Sequence, residues 1–161
     1  MRRPIPGTDN RVVRLCRLLN RHRARYLIAG GVAANLHGSV RATKDVDILV
    51  PGDEANMARI LAALCELPYG IARELNASDI VRNPITIVGD DPRVDILTVA
   101  WKVTFDGAWD RRVVRRILGT RVPYLGRDDL IASKQTDRAS DLADVEQLAK
   151  LSSADRRRRR K

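Results

Sequence analysis

The tetrapeptide Val-Asp-Ile-Leu occurs twice, at 46–49 and at 94–97. Each copy lies in apolar sequence that reads as a strand, and each puts a carboxylate inside it. A buried, ionised carboxylate is costly without a partner, so a chain that does this twice is narrowly constrained. In a strand, side chains two apart share a face. Asp45, Asp47 and Leu49 therefore point one way, and Val46, Ile48 and Val50 the other. The second set is core. The first holds two carboxylates about 7 Å apart at Cα, close enough for their oxygens to converge. Such a pair raises its own pKa values unless a cation intervenes. Asp95 stands in the second strand, where Arg93 and Leu97 share its face. If the two strands are neighbours, Asp47 and Asp95 lie side by side. Three convergent aspartates suit hard divalent ions, and two-metal sites place such ions about 4 Å apart.

Upstream, Gly30-Gly31 follows a short apolar run at 26–29, read as a strand, and precedes one or two helical turns at 32–36. Residues without Cβ let backbone N–H groups approach a ligand, and a helix N-terminus attracts anions, so a phosphate fits there. The pair belongs to neither a G-x-G-x-x-G dinucleotide fingerprint nor a G-K-[ST] phosphate loop, because neither pattern is present.

The remaining punctuation divides the chain into alternating elements. Pro51-Gly52 stops the first aspartate strand, and residues 54–67 form a helix with Met57, Ile60, Leu61 and Leu64 on its inner face. Residues 68–83 are ambiguous. Strands at 84–88 and 93–99 flank the turn Gly89-Asp-Asp-Pro92, and 104–112 reads as a short helix. Strands at 113–118 and 121–125 flank Gly119-Thr120 as a hairpin. Helices at 128–135 and 141–151 carry acids in their first turns. This is an α+β arrangement, close to α/β, with a small mixed β-sheet flanked by helices. It reads as a single domain over 1–152, with a disordered basic tail at 153–161.

The net charge of +10 is unevenly spread. Residues 1–25 carry eight arginines against Asp9, and 156–161 are RRRRRK, whereas between them 19 acids outnumber 16 basic residues. That pattern fits an acidic site with cationic arms better than a uniformly basic binding module. A basic amphipathic helix over about 9–25 puts Val12, Leu15, Cys16 and Leu19 on one face and Arg14, Arg17, Arg21 and Arg25 on another. That second face is either solvated or turned to RNA. No run reaches the roughly 18 apolar residues of a membrane helix, and the N-terminus has no secretory segment. Cys16 and Cys65 lack metal-ligand spacing and read as small hydrophobes. A cytoplasmic protein is expected. His37 reads as a capping or packed histidine, His22 as surface, and Trp101 and Trp109 as packing residues. Six aromatic residues are too few for a base-stacking platform of the RRM or OB kind.

Strand, Gly-Gly, helix, then Arg41-Ala-Thr43-Lys-Asp45-Val-Asp47, then a strand aspartate at Asp95: this order resembles the nucleotidyltransferase fold of the polymerase-β superfamily. Within it, the chain is similar to the AbiEii-type and MenT-type toxin nucleotidyltransferases and their short relatives. The closing segment, with Lys134 on a helix followed by Asp141-Leu-Ala-Asp-Val-Glu146, extends the likeness over about residues 26–151. The resemblance implies that Asp45, Asp47 and Asp95 are catalytic and hold two Mg²⁺ ions, with Mn²⁺ able to substitute. It implies that Gly30 and Gly31 cradle the phosphates of an NTP such as ATP, that Arg41 and Lys134 neutralise them, and that Asp95 serves as general base. The superfamily's usual Gly-Ser is Gly-Gly here, so a hydroxyl contact to phosphate falls to Ser39 or Thr43. The implied acceptor is a hydroxyl, with a tRNA 3′ end suited to the basic arms, in a toxin–antitoxin setting with a cognate partner. Two other readings stand beside this one: an antitoxin or accessory module that keeps the fold with an idle site, and a two-metal nuclease. A triphosphate cradle argues against the nuclease, and three retained aspartates argue against the idle module.

Overall fold

Apolar spacing fixes the first helix, α1, at Asn10–Arg21. Val12, Leu15, Cys16 and Leu19 form its buried stripe, as the spacing requires, and Val13 is buried too. A fully buried leucine contributes about 1.5–3 kcal/mol, so this stripe alone seats the helix. The helix ends earlier than residue 25. Arg23 takes a left-handed φ of 56°, its N–H bonds Asn20 O, and the N–H of Ala24 bonds Leu19 O. These two bonds close the helix end as a Schellman motif, with arginine where glycine is usual. The basic face is exposed, and each of its arginines also has a contact within the chain. Arg11 pairs with Asp91, Arg14 donates to Asp91 O, Arg17 donates to Thr120 Oγ1 and Arg21 pairs with Glu66.

The computed structural model describes residues 10–39, 42–134 and 139–159. Strand β1 (Leu27–Ala29) runs into helix α2 (Gly30–Leu36), and β2 (Asp45–Leu49) into helix α3 (Glu54–Leu64). Asp53 caps α3 by accepting the Asn56 N–H at 2.7 Å, worth about 1 kcal/mol. Buried Asn56 exchanges two hydrogen bonds with the Arg25 backbone and so ties α3 to the entrance of β1. The ambiguous stretch resolves into a 3₁₀ turn (Ile71–Glu74) and the one-turn helix α4 (Ala77–Ile80). Strands β3 (Ile85–Val88) and β4 (Arg93–Leu97) follow, then α5 (Phe105–Ala108) with a 3₁₀ turn, the hairpin β5 (Val113–Ile117) and β6 (Thr120–Tyr124), and helices α6 (Arg127–Ser133) and α7 (Ala139–Arg159).

The six strands form one mixed sheet in the order β3-β4-β2-β1-β6-β5. Strand β2 is parallel to β4 and antiparallel to β1, and β1 is parallel to β6. All of β1 is buried, so both sheet faces are covered there. Helix α1 packs on α3 and β6, α2 on β1 and β2, and α6 on α7. The fold class is therefore α+β, a mixed sheet flanked by helices. Helix α7 continues to Arg159, past Ser152, where the sequence reading placed the start of a disordered tail; alanine and arginine in that stretch favour helix. Among the described residues no helix is long and apolar enough to cross a membrane.

Candidate active site

Strand pairing brings the two tetrapeptides together. In the parallel register of β2 and β4, Asp47 lies opposite Asp95 and Asp45 opposite Arg93. On the other side of β2, Ala29 lies opposite Asp47, so Gly30 begins where the carboxylates converge. The intervening positions Val46, Ile48, Val94 and Ile96 are buried, as alternation demands. Leu49 is buried as well, which closes the aspartate face after Asp47 and leaves only its leading end open.

Gly30 has a φ of 59°, and a Cβ there would fall 1.8 Å from Asp47 Oδ2. Both observations require glycine. A Cβ on Gly31 would meet Thr43 Oγ1 at 3.2 Å. Thr43 donates to Asp45 O at 3.1 Å, which fixes the approach to β2. These groups line one cleft of about 770 Å³ together with Lys134, Trp101 and, beside Asp95 on the same sheet face, Ile85 and Ile87.

Electrostatically the cleft is unbalanced. Burial pushes Asp47 up to about 6, the Asp95 charge adds to this, Lys134 opposes it, Asp45 adds and Arg93 opposes. No hydrogen-bond donor among the described residues serves the Asp47 carboxylate. Arg93 is the local counterion: its Nε lies 3.0 Å from Asp95 Oδ1 and 3.7 Å from Asp45 Oδ2. Among the described residues no three His, Cys, Asp or Glu side chains are already gathered as a metal-ligand group; the Arg93 guanidinium stands among the carboxylates instead. The donor set still fits a hard divalent ion. It consists of carboxylate oxygens, it carries a repulsion that a cation would relieve, and it faces a glycine-walled cradle.

The other expected residues divide. Lys134 reaches the cleft but follows α6 rather than lying on it. It is buried and donates to Asp144 Oδ2 at 2.7 Å, with Asp141 Oδ1 at 3.8 Å. Arg41 lies outside the described residues. Ser39 supplies no hydroxyl to the cleft, because it is buried and donates to Gln147 Oε1 at 2.9 Å; Thr43 remains. His37 is a packed residue: its Nε2–H donates to Leu125 O at 2.7 Å, its ring meets Tyr124 edge-on, and burial lowers its pKa. Trp109 packs on Phe105. Trp101 does not pack inside. It is 57% exposed at the tip of a tight turn closed by Ala100 and Val103, with a φ of 58°. Sequence reasoning placed Arg93 on the aspartate face without giving it a role. Nothing in the sequence marked Ile85 and Ile87 as cleft wall. Compared with known proteins, the chain matches no family model and no curated protein sequence.

Proposed function

We propose that the protein is a Mg²⁺-dependent nucleotidyltransferase of the polymerase-β type, moving a nucleoside monophosphate from an NTP to an acceptor hydroxyl, with a tRNA 3′ end as the favoured acceptor. The observation that carries this reading is the register of Asp47 against Asp95 beside Gly30, in one cleft. Bound Mg²⁺ would be held by Asp45, Asp47 and Asp95, with Mn²⁺ able to replace it, and would supply charge neutralisation at the phosphates. The backbone at Gly30 and Gly31, with no Cβ in the way, receives the phosphate chain. Thr43 offers its hydroxyl beside them. Lys134 adds positive potential from the cleft floor. An oxygen of Asp95 takes the proton from the acceptor hydroxyl as that oxygen attacks the α-phosphorus in line and pyrophosphate leaves. Catalysis rests on positioning and charge compensation. The reaction is taken to be cytoplasmic, where NTPs and tRNA are at hand, in a toxin–antitoxin pair.

The Arg93 bridge favours one alternative, an idle module in which arginine permanently replaces the ion and the protein acts as an antitoxin or accessory subunit. One experiment separates the two. The chain is incubated with each α-labelled NTP, Mg²⁺ or Mn²⁺, and total tRNA or cell lysate. Label on a macromolecule, abolished by Asp47→Asn, is expected. No label from any NTP, together with no metal-dependent NTP binding, leaves the idle module.

A further inference from the structure

The far edge of the sheet carries a feature of a different kind. Strands β5 and β6 pair so that Arg116 stands directly across from Arg121, and Val114 across from Pro123. Partners of this kind project to the same face, where like charges repel. Arg112 enters β5 on that side, and Arg23 reaches it from the end of α1. Arg23, Arg112 and Arg121 line a concavity of about 400 Å³ with Asn20, Tyr26 and Trp109, and no acidic residue lines it. Four arginines elsewhere have carboxylates: Arg11 has Asp91, Arg21 has Glu66, Arg93 has Asp95 and Arg111 has Asp129. Among the described residues no carboxylate pairs with Arg23, Arg112, Arg116 or Arg121.

One of these cations is also held in place. The Arg112 guanidinium lies 3.7 Å over the Trp109 ring and donates to Trp109 O at 2.8 Å. Arg23 occupies left-handed backbone at a helix end where glycine is the relaxed choice. Mutual repulsion is unfavourable in the free chain, and an anion would offset it.

We propose that this concavity binds the phosphodiester backbone of a single-stranded RNA segment. Guanidinium forks match phosphate oxygens in pairs. The seat is concave, which suits a flexible strand rather than a flat bilayer. Arg112 already covers a face of Trp109, so the contacts are to phosphate and carry no base preference. The site lies by Tyr26 at the start of β1, and the carboxylate cleft lies by Gly30 at its end, about 13 Å further at strand rise. The choice of RNA as occupant rests on the transferase reading; the anion seat itself does not.

The test is fluorescence anisotropy of a labelled single-stranded RNA with the full chain across a salt series, without NTP. Removing one arginine–phosphate pairing should flatten the slope of log K against log salt by about 0.7. Arg116→Gln/Arg121→Gln, which takes Arg121 from the lining, should flatten it by about 0.7, by the same rule, and weaken binding at low salt. Its melting temperature should hold or rise, because a repulsion is removed. Arg23→Gly gives the sharper sign: it should raise the melting temperature and weaken RNA binding together. Unchanged slopes in both variants overturn the proposal. So does wild-type binding to phosphatidylserine vesicles that is tighter than RNA binding and abolished in the same variants. Binding of a fluorescent ATP analogue is measured alongside. Its absence in the wild type would count against the transferase reading while leaving the RNA result intact.

Discussion

Two clusters in this molecule use the same residue types to opposite ends. At the junction of α6 and α7, Lys134 meets Asp144 at 2.7 Å and Asp141 at 3.8 Å, and the Lys134 and Asp144 side chains are only 7% and 4% exposed. Between β2 and β4, Asp45 and Asp95 share one half-exposed arginine, while Asp47 receives no hydrogen bond from the described residues and is opposed only by the charges of Lys134 and Arg93. The first cluster is closed: acid and base were desolvated together, and the pair locks two helices. The second is open to a cleft and short of positive charge. Asp90 shows that the fold can satisfy a buried acid when it needs to. Burial pushes that carboxyl up, but backbone N–H groups of Tyr69, Asp91, Ile71 and Gly70 outweigh it and hold the pKa low. The shortfall at Asp47 is therefore local, and it sits where the glycines leave room for a ligand.

The largest expected effect comes from breaking the closed cluster. Removing one partner of a buried ion pair leaves an uncompensated charge and costs about 3–5 kcal/mol. Lys134→Met should lower stability by that order, read as a shift of the urea midpoint. Lys134→Met/Asp144→Leu should recover most of it, because both charges leave together. A single variant as stable as the wild type would show that the two clusters do not differ in this way.

Removing a charge from the open cluster should do the reverse. The folded-state pKa of Asp47, about 6, lies above its ordinary value of 3.8. The folded chain thus holds a proton that the unfolded chain releases. Stability falls as pH rises between those two values, by about 3 kcal/mol for a shift of this size. In chelator-containing buffer, Asp47→Asn should be more stable than the wild type by about that amount at pH 8, with the gap closing below about pH 4. Mg²⁺ should stabilise the wild type and leave the variant nearly unmoved. Chemical denaturation at the two pH values, with and without Mg²⁺, checks both. A variant less stable at pH 8 would mean that the Asp47 charge is already compensated.

Much of this was legible beforehand, because it depends on short-range rules. Period-two alternation placed Asp45 and Asp47 on one face, the repeated tetrapeptide pointed to neighbouring strands, and helical spacing gave the α1 core. The parts that were not legible depend on distant partners. The Arg14 and Arg17 face read as either solvated or turned to RNA, and only the fold shows that Asp91 and Thr120, far along the chain, accept its hydrogen bonds. Ser39 looked like a substitute hydroxyl until α7 covered it with Gln147. The unpaired arginines of β5 and β6 carried no sequence signal, because strand register, not composition, sets Arg116 against Arg121.

The smallest effect on stability should come from Arg93, and it tests the open cluster most directly. Its contacts with Asp95 and Asp45 are partly exposed, and such pairs contribute about 0–1 kcal/mol. Arg93→Gln should therefore change the urea midpoint little. Its effect on ion binding should be larger, because Arg93 and a divalent ion seek the same carboxylate oxygens. A double and a unit charge about 4 Å apart in a water-like medium interact by roughly 2 kcal/mol, so removing the guanidinium should tighten Mg²⁺ binding about thirtyfold. Titration calorimetry of the two proteins measures this in the absence of nucleotide. Tighter binding in the variant identifies Arg93 as a placeholder that yields to the ion. Weaker binding would mean that Arg93 shapes Asp95 for the ion instead, and equal binding would mean that the aspartates do not gather one at all.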